Sequence, residues 1–189
     1  MQSNAFSVCA LLGALLAAGL PAGALTAQPA AQNKDAPAAE QGVTRLGASE
    51  GWSAYLDAEK GRKVCYLEGE PSKSEPAGAK RAKIFASVTH RPQEKTSNEV
   101  SFNAGYAFKE GSDAELLVDG KKFSLFTNKE AAWSRDAATD KAVVEALSKG
   151  KQAVIKGTSA RGTATTDTYT LAGFSQALAQ IDKACGVKR

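Results

Sequence analysis

The chain has 189 residues, 24 Lys and Arg against 20 Asp and Glu, and a formal net charge of +4. That length suits one domain with appendages, and 43% hydrophobic residues supply an ordinary core, which excludes fibrous and membrane-embedded classes. The basic residues are scattered among acids and no nucleic-acid-binding module is present, so a nucleic-acid partner is not expected.

Residues 1–27 contain no Asp, Glu, Lys or Arg, and from Phe6 to Leu20 they are almost wholly Ala, Leu, Gly, Val and Cys. This reads as a secretory signal peptide, followed by the small-x-small options Ala22-Gly23-Ala24 and Leu25-Thr26-Ala27, with cleavage between Ala24 and Gln28. The apolar run is shorter than the roughly 20 residues of a spanning helix, so the mature chain is expected to be periplasmic or extracellular and not an integral membrane protein. One departure is an n-region, Met1 to Asn4, without Lys or Arg. Residues 28–50 turn to Ala, Gln, Pro and Gly with little to bury, which predicts a flexible linker before a domain at 51–189 that starts near Trp52.

Within the domain, short runs with strand character occupy 52–56, 63–67, 84–90, 99–103, 114–118, 121–127, 153–159 and 163–171, each bounded by Gly, Pro, Asn or Ser. Residues 69–83, with Pro71, Pro76 and Gly78, read as a long exposed loop. Asp119-Gly120 supplies the positive φ angles of a two-residue hairpin turn, which sets Leu116 opposite Phe123, Ala114 opposite Leu125 and Leu117 opposite Lys122. Val143, Val144, Ala146 and Leu147 make an apolar stripe over 140–149, with Asp136, Thr139 or Asp140 as cap and Gly150 as stop. Phe174, Leu178, Ile181 and Cys185 recur on one face of a terminal helix at 174–185. The expected class is mainly β, an antiparallel β-sandwich or barrel-like sheet, with two short helices, one at the C-terminus.

Cys9 leaves with the signal peptide. Cys65 and Cys185 then form an even pair in an oxidising compartment, where a disulfide is expected; the alternative is two separate buried thiols. Closing so long a loop stabilises the fold by roughly 4 to 5 kcal/mol in the chain-entropy account.

Candidate chemistry is sparse. His90, the only histidine, stands beside Arg91 where a strand meets a turn; it could serve as a general base or be a plain strand-end residue. Asp57, Glu59, Asp113, Glu115, Asp119, Asp136, Asp140 and Asp167 could pair for acid–base work, but most fall in turns or at helix starts. One histidine and no free cysteine cannot assemble the usual zinc site, and neither a calcium loop nor a phosphate loop is present, so no metal and no cofactor are expected. The densest polar stretch runs from Gly157 to Tyr169, hydroxyls around Arg161. It is either a recognition surface for an anion or sugar or a hairpin of Thr-rich strands. The candidate binding surface is Ser159, Arg161, Thr163, Asp167 and Tyr169, together with His90 and Arg91. Tyr66, Tyr106, Phe108 and Trp133 are either contact residues or core.

Several separated features together resemble one known family. They are Trp52-Ser53-Ala54-Tyr55, Cys65-Tyr66, Thr89-His90-Arg91-Pro92, Gly105-Tyr106-Ala107-Phe108, Ala132-Trp133, the Gly157 to Leu171 stretch, and Gly173-Phe174-Ser175 leading to Cys185. In this order, over about residues 51–187, they resemble the invasion associated locus B family. The resemblance implies an alphaproteobacterial envelope protein with a sandwich-like fold and a cysteine pair, linked to host-cell invasion or envelope integrity, and it brings no catalytic motif. The first expectation is therefore a non-enzymatic binding module with an envelope or host-surface partner. The alternatives are an envelope hydrolase or lyase using His90 or an acidic pair, and a purely structural protein.

Overall fold

A computed structural model describes residues 42–189. The expected signal peptide, Cys9 and the linker up to residue 41 lie outside the described residues. Eleven strands form one antiparallel sheet: β1 Val43–Ser49, β2 Trp52–Asp57, β3 Val64–Gly69, β4 Lys73–Glu75, β5 Phe85–Arg91, β6 Thr96–Asn103, β7 Asp113–Val118, β8 Lys121–Asn128, β9 Ala131–Trp133, β10 Gln152–Thr158 and β11 Ala164–Thr170. The strand order is β1-β2-β3-β5-β6-β9-β8-β7-β10-β11-β4. Two helices complete the domain, α1 Ala137–Lys149 and α2 Phe174–Cys185.

The sheet is rolled. β2 and β11 stand near opposite ends of the strand order, yet the Trp52 indole N–H donates to the Thr170 carbonyl at 2.9 Å, and the Trp52 and Tyr169 rings lie 6.3 Å apart. The two ends thus return toward each other across an interior that holds Leu67, Val88, Val100, Leu116, Leu125 and Tyr169, without hydrogen-bonding into a closed barrel. The mainly β class with two helices, the second at the C-terminus, is the fold observed.

Eight of the strands fall where period-2 patterning predicts them. The β7–β8 hairpin pairs Leu116 with Phe123, Ala114 with Leu125 and Leu117 with Lys122, across a turn in which Asp119 and Gly120 have φ of 44° and 88°. β1 corrects the expected linker boundary. Residues 43–49 pair with β2 from Val43↔Asp57 to Ser49↔Trp52 and rest against α2, so backbone pairing and one helix hold a strand with few large apolar side chains. β4 lies inside the expected loop and pairs through three residues with β11. β9, too short and alanine-rich to carry a pattern, joins β6 to β8 and thereby links the two halves of the sheet.

Helix α1 starts at Asp136, whose carboxylate accepts from the Thr139 N–H at 2.7 Å, and ends at Gly150. Helix α2 starts at Gly173, whose φ of 83° and close approach to the Ser49 carbonyl leave no room for a side chain. Its buried face, Phe174, Ala177, Leu178 and Ile181, packs on β1, β2, β3 and β5. Each of the larger side chains contributes about 1.5 to 3 kcal/mol by burial. Cys185 on this helix is bridged to Cys65 on β3, with Cα atoms 6.0 Å apart and 120 positions between them in sequence.

Candidate functional site

A cleft of about 470 Å³ opens beside the tip of the β10–β11 hairpin. Its first wall is the turn at 159–163. The Ser159 N–H donates to the Thr163 carbonyl at 2.9 Å, the Thr163 N–H to the Ser159 hydroxyl at 3.1 Å, and the Gly162 N–H to the Ser159 carbonyl at 2.8 Å. These bonds hold Arg161 and Thr163 outward, both exposed, while the Ala160 N–H ties the tip to the Ala107 carbonyl at 2.8 Å.

The opposite wall is the segment at 79–81, and it is fastened by Arg81. The Arg81 guanidinium donates to both Asp167 carboxylate oxygens, at 2.7 and 2.6 Å, its Nε donates to the Ala104 carbonyl at 2.8 Å, and its plane lies over the Tyr106 ring at 5.0 Å. Both charged side chains are about 95% buried, with 5% and 4% exposure. The segment is also held by the Ala82 N–H on the Gly105 carbonyl. Gly105 has φ of 67°, and a β-carbon there would stand 2.5 Å from the Ala82 oxygen. Between the walls the Tyr106 hydroxyl and Thr165 Oγ1 are 2.6 Å apart. Burial pushes the Tyr106 phenol above its ordinary pKa, so it keeps its proton at neutral pH. Lys80 and Arg161 complete the lining, exposed and without an ion-pair partner among the described residues.

Three of the seven nominated surface residues, Ser159, Arg161 and Thr163, meet at this cleft. Asp167 and Tyr169 are buried positions that alternate with half-buried Thr166 and Thr168 along β11: Asp167 lies under the cleft against Arg81, and Tyr169 packs between Trp52 and Phe102. Burial holds the Tyr169 phenol far above its ordinary pKa. Lys80, Arg81 and Thr165 belong to the site but were not nominated, and Tyr106, expected as either a contact or a core residue, lines it. The available signal was Asp167 itself, a carboxylate on the inward phase of a strand, which requires a cation partner.

His90 and Arg91 lie elsewhere, on β5. His90 is fully buried. Its Nδ1 accepts from the Asn98 N–H at 3.0 Å, so the proton sits on Nε2 and is donated to Asp182 at 2.9 Å. Arg189 donates to both Asp182 oxygens, at 2.6 and 2.9 Å, and to the Asn98 side-chain oxygen at 2.8 Å, linking four residues in a ring that passes through the Asn98 backbone. Burial works against the Asp182 carboxylate, but the bonds from His90 and Arg189 outweigh it and hold its pKa below the ordinary range. This cluster sits beside the disulfide, with Cys185 Sγ 3.9 Å from the His90 carbonyl. Arg91 is half-exposed and pairs with Glu99. Among the described residues no three His, Cys, Asp or Glu side chains gather as a metal site, and no helix is long and apolar enough to cross a membrane.

A family model described as Invasion associated locus B (IalB) protein matches residues 52–182. The chain belongs to the invasion associated locus B family. No curated protein and no solved structure matches it. The matched IalB region spans β2 to Asp182 and includes the whole cleft, while β1, Cys185 and Arg189 flank it.

Proposed function

We propose that this IalB-family chain is an exported envelope protein, periplasmic or on the cell surface, that acts by binding a partner rather than by turnover, and that the cleft between residues 79–81 and the β10–β11 tip is its binding seat. The observation that carries the reading is the pairing of two unneutralised cations, Lys80 and Arg161, with a rigid, hydroxyl-lined floor. Concave sites with a few convergent polar groups are the usual seats of ligands. Asp167, beneath the cleft, is neutralised by Arg81, and His90 is engaged in the interior by Asp182 and Asn98. These engagements of Asp167 and His90 support the reading of a binding role over turnover.

Export is supported by the uncharged apolar stretch at the N-terminus and by the pairing of Cys65 with Cys185. Two measurements test the proposal. The intact mass of the protein recovered from the periplasm or medium should correspond to a chain beginning between Leu25 and Gln28; an unprocessed cytoplasmic product refutes export. Affinity capture from envelope extracts should lose its specific component when Lys80→Ala and Arg161→Ala are combined. An unchanged capture profile removes the cleft from the account.

A further inference from the structure

We infer that the ligand of this cleft is an anionic saccharide, a sugar bearing a carboxylate or phosphate; the inference rests on the cleft reading above and adds the chemistry of what it holds. Three cations border the cleft, but the charge of Arg81 is paired with Asp167, leaving the charge of Lys80 and Arg161 for a ligand. Arg161 presents a planar fork matched to carboxylate and phosphate, and Lys80 a point charge on the other wall.

The remaining surface fits a sugar. Tyr106 and Thr165 share one hydrogen bond between two hydroxyls, so one O–H proton is left to donate, and the exposed Thr163 hydroxyl adds another donor and acceptor. Ala79, Ala107 and Ala160 add apolar lining beside these hydroxyls, suited to the C–H groups of a sugar ring. A volume of about 470 Å³ lies within the range of small-ligand sites.

An extended acidic peptide is disfavoured by the backbone. Peptides that lie in such grooves gain affinity by adding to a free strand edge. Here the N–H groups of Ser159, Ala160, Gly162 and Thr163 on one wall, and of Ala82 beside the other, already donate within the protein.

Isothermal titration of protein recovered from cells producing the full chain tests this. The probes are digalacturonate, mannose 6-phosphate, neutral galactobiose and a triaspartate peptide. At least one of the two anionic sugars should bind about tenfold or more tightly than galactobiose and triaspartate, and which of them does so identifies carboxylate or phosphate as the anionic group. Lys80→Ala and Arg161→Ala, both exposed and with the melting temperature unchanged, should each weaken that binding severalfold, and added salt should weaken it further. Equal binding of galactobiose or triaspartate, no binding of either anionic sugar, or insensitivity to both substitutions overturns the inference. If the anionic sugars fail while envelope capture still depends on Lys80 and Arg161, only the ligand class is wrong; if capture is also insensitive, the cleft reading falls with it.

Discussion

Cys65 on β3 and His90 on β5 stand directly opposite each other in the sheet, and each is tied to helix α2, the first by the disulfide to Cys185 and the second by the hydrogen bond to Asp182. Asp182 and Cys185 are three positions apart, hence on one face of the helix. A covalent and a polar fastening therefore act at one level of the sheet and fix the end of the domain to its beginning.

The covalent fastening has a measurable signature. Alkylation of the denatured, unreduced protein should leave its mass unchanged, and reduction should allow two alkyl groups to add. Replacing both Cys65 and Cys185 by Ser should lower stability by about 5 kcal/mol in urea unfolding, the value expected for a loop of this length.

The polar fastening predicts a pH dependence. Asp182 has a folded pKa below its unfolded value, so as pH falls the unfolded chain takes up this proton first. Its contribution is complete above the ordinary carboxylate pKa of about 4 and is lost as pH falls through the lower folded value. Asp182→Ala should cost roughly 3 kcal/mol at neutral pH, because His90 and Arg189 lose their acceptor. The gap between wild type and variant in denaturation midpoint should close on acidification below pH 4.

Arg81 and Asp167 form the buried pair beneath the cleft. Asp167→Leu alone leaves a buried guanidinium uncompensated and should destabilise by about 3 to 5 kcal/mol, whereas Arg81→Met with Asp167→Leu should recover most of that loss. A double variant no more stable than the single one would contradict the assignment of this pair as a strut.

Tyr169 carries a hydroxyl that is buried without a hydrogen-bond partner among the described residues. Tyr169→Phe should therefore be neutral or stabilise by about 1 kcal/mol, read as a raised thermal midpoint.

Much of the fold was legible in the sequence because its signals are local. Asp119-Gly120 dictates a hairpin whose register follows from the turn, and the spacing of Phe174, Leu178 and Ile181 dictates a helix whose bounds match those observed. What escaped were elements held by non-local pairing. β1 depends on β2 and on a close approach to Gly173, neither of which leaves a pattern in residues 43–49. β4 and β9 are three residues each. The site was half legible. The hydroxyl-rich hairpin pointed to Ser159, Arg161 and Thr163, but the facing wall comes from residues 79–81, some 80 positions earlier in the chain, and only folding brings Arg81 to Asp167. His90 was visible as a lone histidine, yet its partners Asn98 and Asp182, and Arg189 that bonds both of them, are set by packing.

The central claim, that the domain binds through this cleft, is tested most directly by photocrosslinking in cells that make the full chain. A benzophenone amino acid replacing Thr163, at the mouth of the cleft, should capture a specific adduct on irradiation, and the same probe replacing Lys122, on the outer face of the β7–β8 hairpin, should not. No adduct from position 163, or equal adducts from both positions, would contradict the account.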